Sequence, residues 1–75
     1  MPPSLPTLTP KKVIKAFENM GYKVVRHHGS HTIMARALSA HQPTIPFHSR
    51  DLPKGTLRAI IRQSGLTVEE FIEFL

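Results

Sequence analysis

Seventy-five residues, 40% of them hydrophobic and none of them cysteine, make one small domain with no room for a second core. The missing thiols exclude Cys-ligated zinc, disulfide reinforcement and cysteine nucleophiles, and they fit a reducing cytoplasm. Ten Lys and Arg against five Asp and Glu leave a net charge of +5, which suits either a polyanionic partner such as nucleic acid or a solubilising surface.

The proline-rich opening, Met1 to Leu8, reads as an extended arm with little fixed structure, because proline fixes φ and removes a backbone donor. It carries no apolar signal-like core, and no later run approaches the ~20 apolar residues of a membrane span, so a cytoplasmic protein without a membrane partner is expected. Thr9-Pro10 then starts a helix, with Thr as N-cap and Pro at the first helical position, and Val13, Ile14, Phe17 and Met20 recur at helical spacing. Gly21 ends it. Tyr22 to His28 and His31 to Leu38 are two strands joined by the tight turn Gly29-Ser30. Thr44 to His48 is a third strand, placed at a sheet edge by Pro46.

From Pro53 the helical period returns. Leu57, Ile60 and Ile61 form an apolar stripe, Lys54, Arg58 and Arg62 a basic one, and Gly65 is the cap. Thr67-x-x-Glu70 opens a short last helix as a capping box, with Val68, Phe71, Ile72 and Leu75 on one face. The order α-β-β-β-α-α predicts an α+β two-layer sandwich with the helices gathered on one face of an antiparallel sheet. Charge divides along it. The first 37 residues hold six Lys and Arg against Glu18 alone, whereas the segment from Thr67 holds Glu69, Glu70 and Glu73 and no base.

Three of the five histidines surround the first turn, in His27-His28-Gly29-Ser30-His31. A metal site there lacks support, since no HExxH, cysteine or nearby carboxylate supplies further ligands; no metal and no cofactor is therefore expected. His27 and His41 read as solvated polar residues. Acid–base chemistry is the stronger reading. A free imidazole titrates near ~6.5, so both of its forms are present near neutrality, as phosphodiester cleavage requires. RNA brings its own nucleophile in the 2′-OH, and a small basic protein need only hold the phosphate and move protons.

The runs Ile14-Lys15-Ala16-Phe17, Gly21 to Arg26 and Gly29-Ser30-His31, followed by Ile45-Pro46-Phe47-His48 and Leu52 to Gly65, resemble the HicA (YcfA-like) toxins of toxin–antitoxin systems. The similarity runs from about Leu8 to Leu75. It implies a double-stranded-RNA-binding-like α-β-β-β-α fold, extended here by the last helix. It also implies a ribosome-independent mRNA interferase whose catalytic histidine, in Gly-Ser-His, falls at His31, and a HicB antitoxin that blocks the active site. His48 matches a second recurrent histidine that either shapes the site or caps the turn before the second long helix.

One imidazole cannot be base and acid at the same instant, so a second proton carrier is expected, with His48, His28 and water as candidates. Strand alternation places His31 with Ile33 and Ala35, opposite Thr32 and Met34, without saying which side is open. Lys54, Gly55 and Thr56 offer a cation and free backbone N–H groups to RNA phosphates, with Arg58, Arg62 and Ser30 extending the contact. A DNA-binding helix-turn-helix is disfavoured, because the would-be recognition helix carries Glu69, Glu70 and Glu73. A non-catalytic RNA-binding module of the same fold is the alternative. Phe74, off the apolar stripe of the last helix, leaves antitoxin docking and self-association into a homo-oligomer both open.

Overall fold

A computed structural model describes residues 4–75. Local capping chemistry sets most helix boundaries. The Thr9 side chain accepts the Lys12 N–H at the head of α1 (Pro10–Asn19), and Gly21, at φ 96°, turns the chain out of its end. The Gly21 and Tyr22 N–H groups donate to Glu18 O and Phe17 O, the paired bonds of a Schellman motif. The Tyr22 ring then packs edge-on to Phe17 at 5.2 Å, so the helix cap and the core share one contact. Helix α2 (Lys54–Gln63) ends the same way: Gly65 and Leu66 donate to Arg62 O and Ile61 O, with Gly65 at φ 77°. The expected capping box opens α3 (Val68–Ile72), where Thr67 and Glu70 exchange side-chain-to-backbone bonds. Hydrogen bonds from the backbone N–H and side chain of Thr67 hold the exposed Glu70 carboxyl below its ordinary pKa.

Strands β1 (Lys23–His28), β2 (His31–Ala35) and β3 (Thr44–Pro46) form an antiparallel sheet in that order, so β2 is central and Pro46 lies on an edge strand as expected. Thr32, Met34 and Ile45 are buried on one face of this sheet. They join Val13, Ala16 and Phe17 of α1, Leu57, Ile60 and Ile61 of α2, and Phe71 of α3 in a single core. All helices therefore lie on one face, giving the two-layer α+β arrangement.

Each strand is shorter than the apolar run that predicts it, for an identifiable reason. Tyr22 is held by the α1 cap and its ring is buried, so β1 begins one residue later. Beyond Ala35 the Arg36 guanidinium donates to Met20 O and stacks over Tyr22 at 4.7 Å, and the exposed Leu38 adopts φ 63°, away from any ladder. Strand β3 stops at Pro46, after which the Phe47 N–H donates to Ser30 O at 2.6 Å. At the C-terminus, α3 closes at Ile72 and Leu75 is half-exposed, so Leu75 does not share the buried face of Phe71.

The opening segment also differs from the loose arm expected. Met1–Pro3 lie outside the described residues, but Leu5 and Leu8 are buried in the core. Leu8 O accepts the Leu52 N–H at 2.8 Å, and Leu5 O accepts from the Lys54 ammonium. Two leucines spaced among prolines here anchor the chain beneath the start of α2.

Candidate functional site

His31 is the first residue of β2, held there by the two-residue turn in which Gly29 adopts φ 62°. Because Thr32 and Met34 face the helices, His31 belongs to the opposite, open face with Ile33 and Ala35, and it is exposed. Its cross-strand partners are His28 on β1 and Pro46 on β3. Side chains of such directly paired residues start about 5 Å apart, so the imidazoles of His28 and His31 are neighbours on one surface.

A β-bulge extends this surface. The register passes from Val24↔Met34 to Arg26↔Ile33, leaving Val25 without a partner. Unbroken alternation would set Lys23 and Arg26 on opposite faces. With the bulge, Lys23, paired to Ala35, shares the open face with Arg26 and His28. All six residues of β1 are exposed. In the sequence Lys23 and Arg26 count only toward the basic charge and the run Gly21 to Arg26, with no site role; the bulge that aligns them depends on pairing with β2 and has no local signal.

The remaining histidines are placed differently. His27 pairs with Thr32 on the helix-side face, where its Nδ1 and the buried Thr32 hydroxyl form a hydrogen bond of 3.3 Å. His41 lies against Gly65. His48 is exposed, and its Nδ1 accepts the Arg50 N–H at 3.1 Å, the turn-capping role considered for it; the neutral ring then carries its proton on Nε2. Ser30 sits in the hairpin turn, its carbonyl tied to Phe47.

The basic stripe of α2 is also as the sequence spaced it, with Lys54, Arg58 and Arg62 exposed and Leu57, Ile60 and Ile61 buried behind them. Pro53 supplies no side-chain cap, so the first-turn N–H groups at Lys54, Gly55 and Thr56 keep their donor capacity. This helix is in the layer behind the sheet, however, and His31 is on the front. The structure does not gather the α2 stripe and His31 on one surface. Lys54 is further engaged with Leu5 O.

Among the described residues, no three His, Asp or Glu side chains converge in a way that could hold a metal ion, and no helix is long and apolar enough to cross a membrane. A search of curated proteins gives no match. The family model described as HicA toxin of bacterial toxin–antitoxin matches residues 10–66. The chain belongs to the HicA toxin family. As a HicA-family protein it is a toxin of a toxin–antitoxin system, with a cognate antitoxin as partner. The HicA match spans α1 through the Gly65 cap and so contains His31, His48 and the whole α2 stripe. Helix α3, with Glu69 and Glu70 in its first turn and Glu73 at its C-cap, lies beyond it.

Proposed function

We propose that this HicA toxin is an endoribonuclease, an mRNA interferase, in which His31 moves protons at the scissile phosphate without a metal. The observation that carries the reading is the place of His31: exposed, on the open sheet face, at the end of a rigid hairpin, with a second imidazole across the strand. In the cleavage step the RNA 2′-oxygen attacks phosphorus and its proton passes to one imidazole. The bond to the 5′-oxygen breaks, and that oxygen takes a proton from a second imidazolium. The products are a 2′,3′-cyclic phosphate and a 5′-hydroxyl.

Two imidazoles side by side satisfy the demand for a base and an acid together. Cross-strand pairing makes His28 the better-placed second carrier, because His48 spends its Nδ1 on the Arg50 turn. Lys23 and Arg26 on the same face offer positive charge to the phosphate. The α2 residues Lys54, Gly55, Thr56, Arg58 and Arg62 would then hold a more distant part of the RNA, around the molecule from the cut, with Ser30 contributing at the hairpin turn. A cognate antitoxin, HicB-like in this reading, silences the toxin by covering the open face.

The test is cleavage of RNA in EDTA by purified toxin free of antitoxin. Wild type should cut, and His31→Ala should lose about 10²–10⁴ in rate with an unchanged far-UV circular dichroism spectrum. His28→Ala should lose more activity than His48→Ala. Equal cleavage by His31→Ala and wild type would remove the catalytic assignment. Tight RNA binding without any cutting would favour the non-catalytic RNA-binding module instead.

A further inference from the structure

Phe47 has no place in the core. It is 52% exposed, directly after the edge strand, more open than any other aromatic ring: Phe17, Tyr22 and Phe71 are buried and Phe74, at the C-terminus, is 36% exposed. Its ring lines a groove of about 630 Å³ with Lys11, Lys12, Ile14, Lys15 and Glu18 of α1. Positions 11, 14, 15 and 18 are one helical face, so the groove follows α1 along its length. A second hollow, of about 390 Å³, adjoins it, sharing Lys11 and Phe47 and continuing to His48 and Ser49. Three lysines stand against the single Glu18, which sits at the C-terminal end of the face.

We infer that this groove is a second RNA subsite, in which Phe47 stacks a base flanking the cleaved bond while Lys11 and Lys15 hold the adjoining phosphates. The inference rests on the nuclease reading for the identity of the strand, and on the groove for its chemistry. An exposed aromatic face beside lysines is the combination that single-stranded nucleic acid uses, because every base offers a π-face and every linkage a negative charge. A purely acidic segment would answer the lysines and leave the aromatic face unused, whereas a nucleotide answers both in one unit.

Position agrees with this. Pro46 is the cross-strand partner of His31, and Phe47 follows it, with its N–H on Ser30 O. Cross-strand partners have Cα atoms about 5 Å apart and the next Cα is about 4 Å further, so the Cα atoms of His31 and Phe47 lie within about 10 Å. Alternation turns Pro46 to the open face and Phe47 to the helix side. A strand leaving His31 on the front of the sheet therefore passes around the β3 edge onto Phe47 and the α1 lysines, and no third layer stands in its way.

The experiment measures binding of a short fluorescent oligouridine by anisotropy, with His31→Ala present throughout so that the probe stays intact. Adding Phe47→Ala should weaken binding roughly five- to hundredfold, the effect of losing one stacked base, and Phe47→Trp should restore it. Lys11→Ala and Lys15→Ala should each flatten the log–log salt dependence by about 0.7, one phosphate contact apiece on a single strand. Unchanged affinity in Phe47→Ala would overturn the inference. So would a Phe47→Ala protein that binds RNA normally but no longer binds its antitoxin, which would assign the groove to protein docking. Phe47-dependent binding by a wild-type protein that never cuts RNA would support the subsite while removing the nuclease reading alone.

Discussion

Gly65→Ala is a demanding test of the packing. At this position φ is 77°, and an added Cβ would lie 2.6 Å from His41 Nε2 and 3.0 Å from both neighbouring ring carbons. Two costs follow. The left-handed backbone costs an alanine about 1–2 kcal/mol, and displacing the imidazole adds overpacking of about 1–2 kcal/mol, at the low end because His41 is exposed and its ring can swing. Gly29 separates the two effects. It has φ 62° with nothing within 4 Å of an added Cβ, so Gly29→Ala carries the backbone cost alone. In a domain of this size 1 kcal/mol shifts the melting temperature by about 4–8 °C. Thermal melts followed by circular dichroism should therefore show Gly65→Ala falling further than Gly29→Ala by about 4–16 °C. Adding His41→Ala to Gly65→Ala should recover most of that difference. Equal losses at the two glycines, or no recovery in the double variant, would refute the argument that the His41 ring occupies the space above the α2 cap.

Two further outcomes follow from single groups. The Tyr22 hydroxyl is buried with no hydrogen-bond partner among the described residues, so Tyr22→Phe should leave stability in urea unfolding unchanged or raise it by up to about 1 kcal/mol; a loss larger than that would reveal a partner for the phenol. The Glu70 carboxyl, whose pKa is lowered in the folded state, gives α3 a contribution fully present above its ordinary value of 4.5 and lost as pH falls through the lowered value. Acid titration of Glu70→Gln should accordingly show a flatter loss of stability over that range than wild type, and identical acid profiles would remove the capping box as its source.

What the sequence made legible was local. Thr9-Pro10, Gly21, Gly65 and Thr67-x-x-Glu70 act through bonds no more than five residues long, and each stands where its chemistry put it. The Gly29-Ser30 turn likewise needs only itself and its flanking strands. What stayed hidden depends on contacts remote in the chain. The face of His31 is decided by which side of β2 the helices cover, and the alignment of Lys23 with Arg26 by a bulge that exists only against β2. The buried Leu5 and Leu8 are tied to Leu52 and Lys54, far along the chain, the hold of Lys54 on Leu5 O reaching across 49 residues. Phe47 reads in sequence as one more apolar residue of a strand. Only the end of β3 at Pro46, set by proline's missing donor and the turn to Ser30, leaves its ring outside the core.

Both margins of the sheet are poor templates for another copy of the chain. On β1 the bulge at Val25 breaks the regular row of donors and acceptors, and Lys23 and Arg26 put charge along that margin. On β3 there are only three residues, one of them a proline without a donor. A small three-stranded sheet with one face uncovered would otherwise invite runaway stacking of strands into aggregates. The irregularity that lines up cations beside His28 and His31 thus also makes the β1 margin a poor template for a further strand.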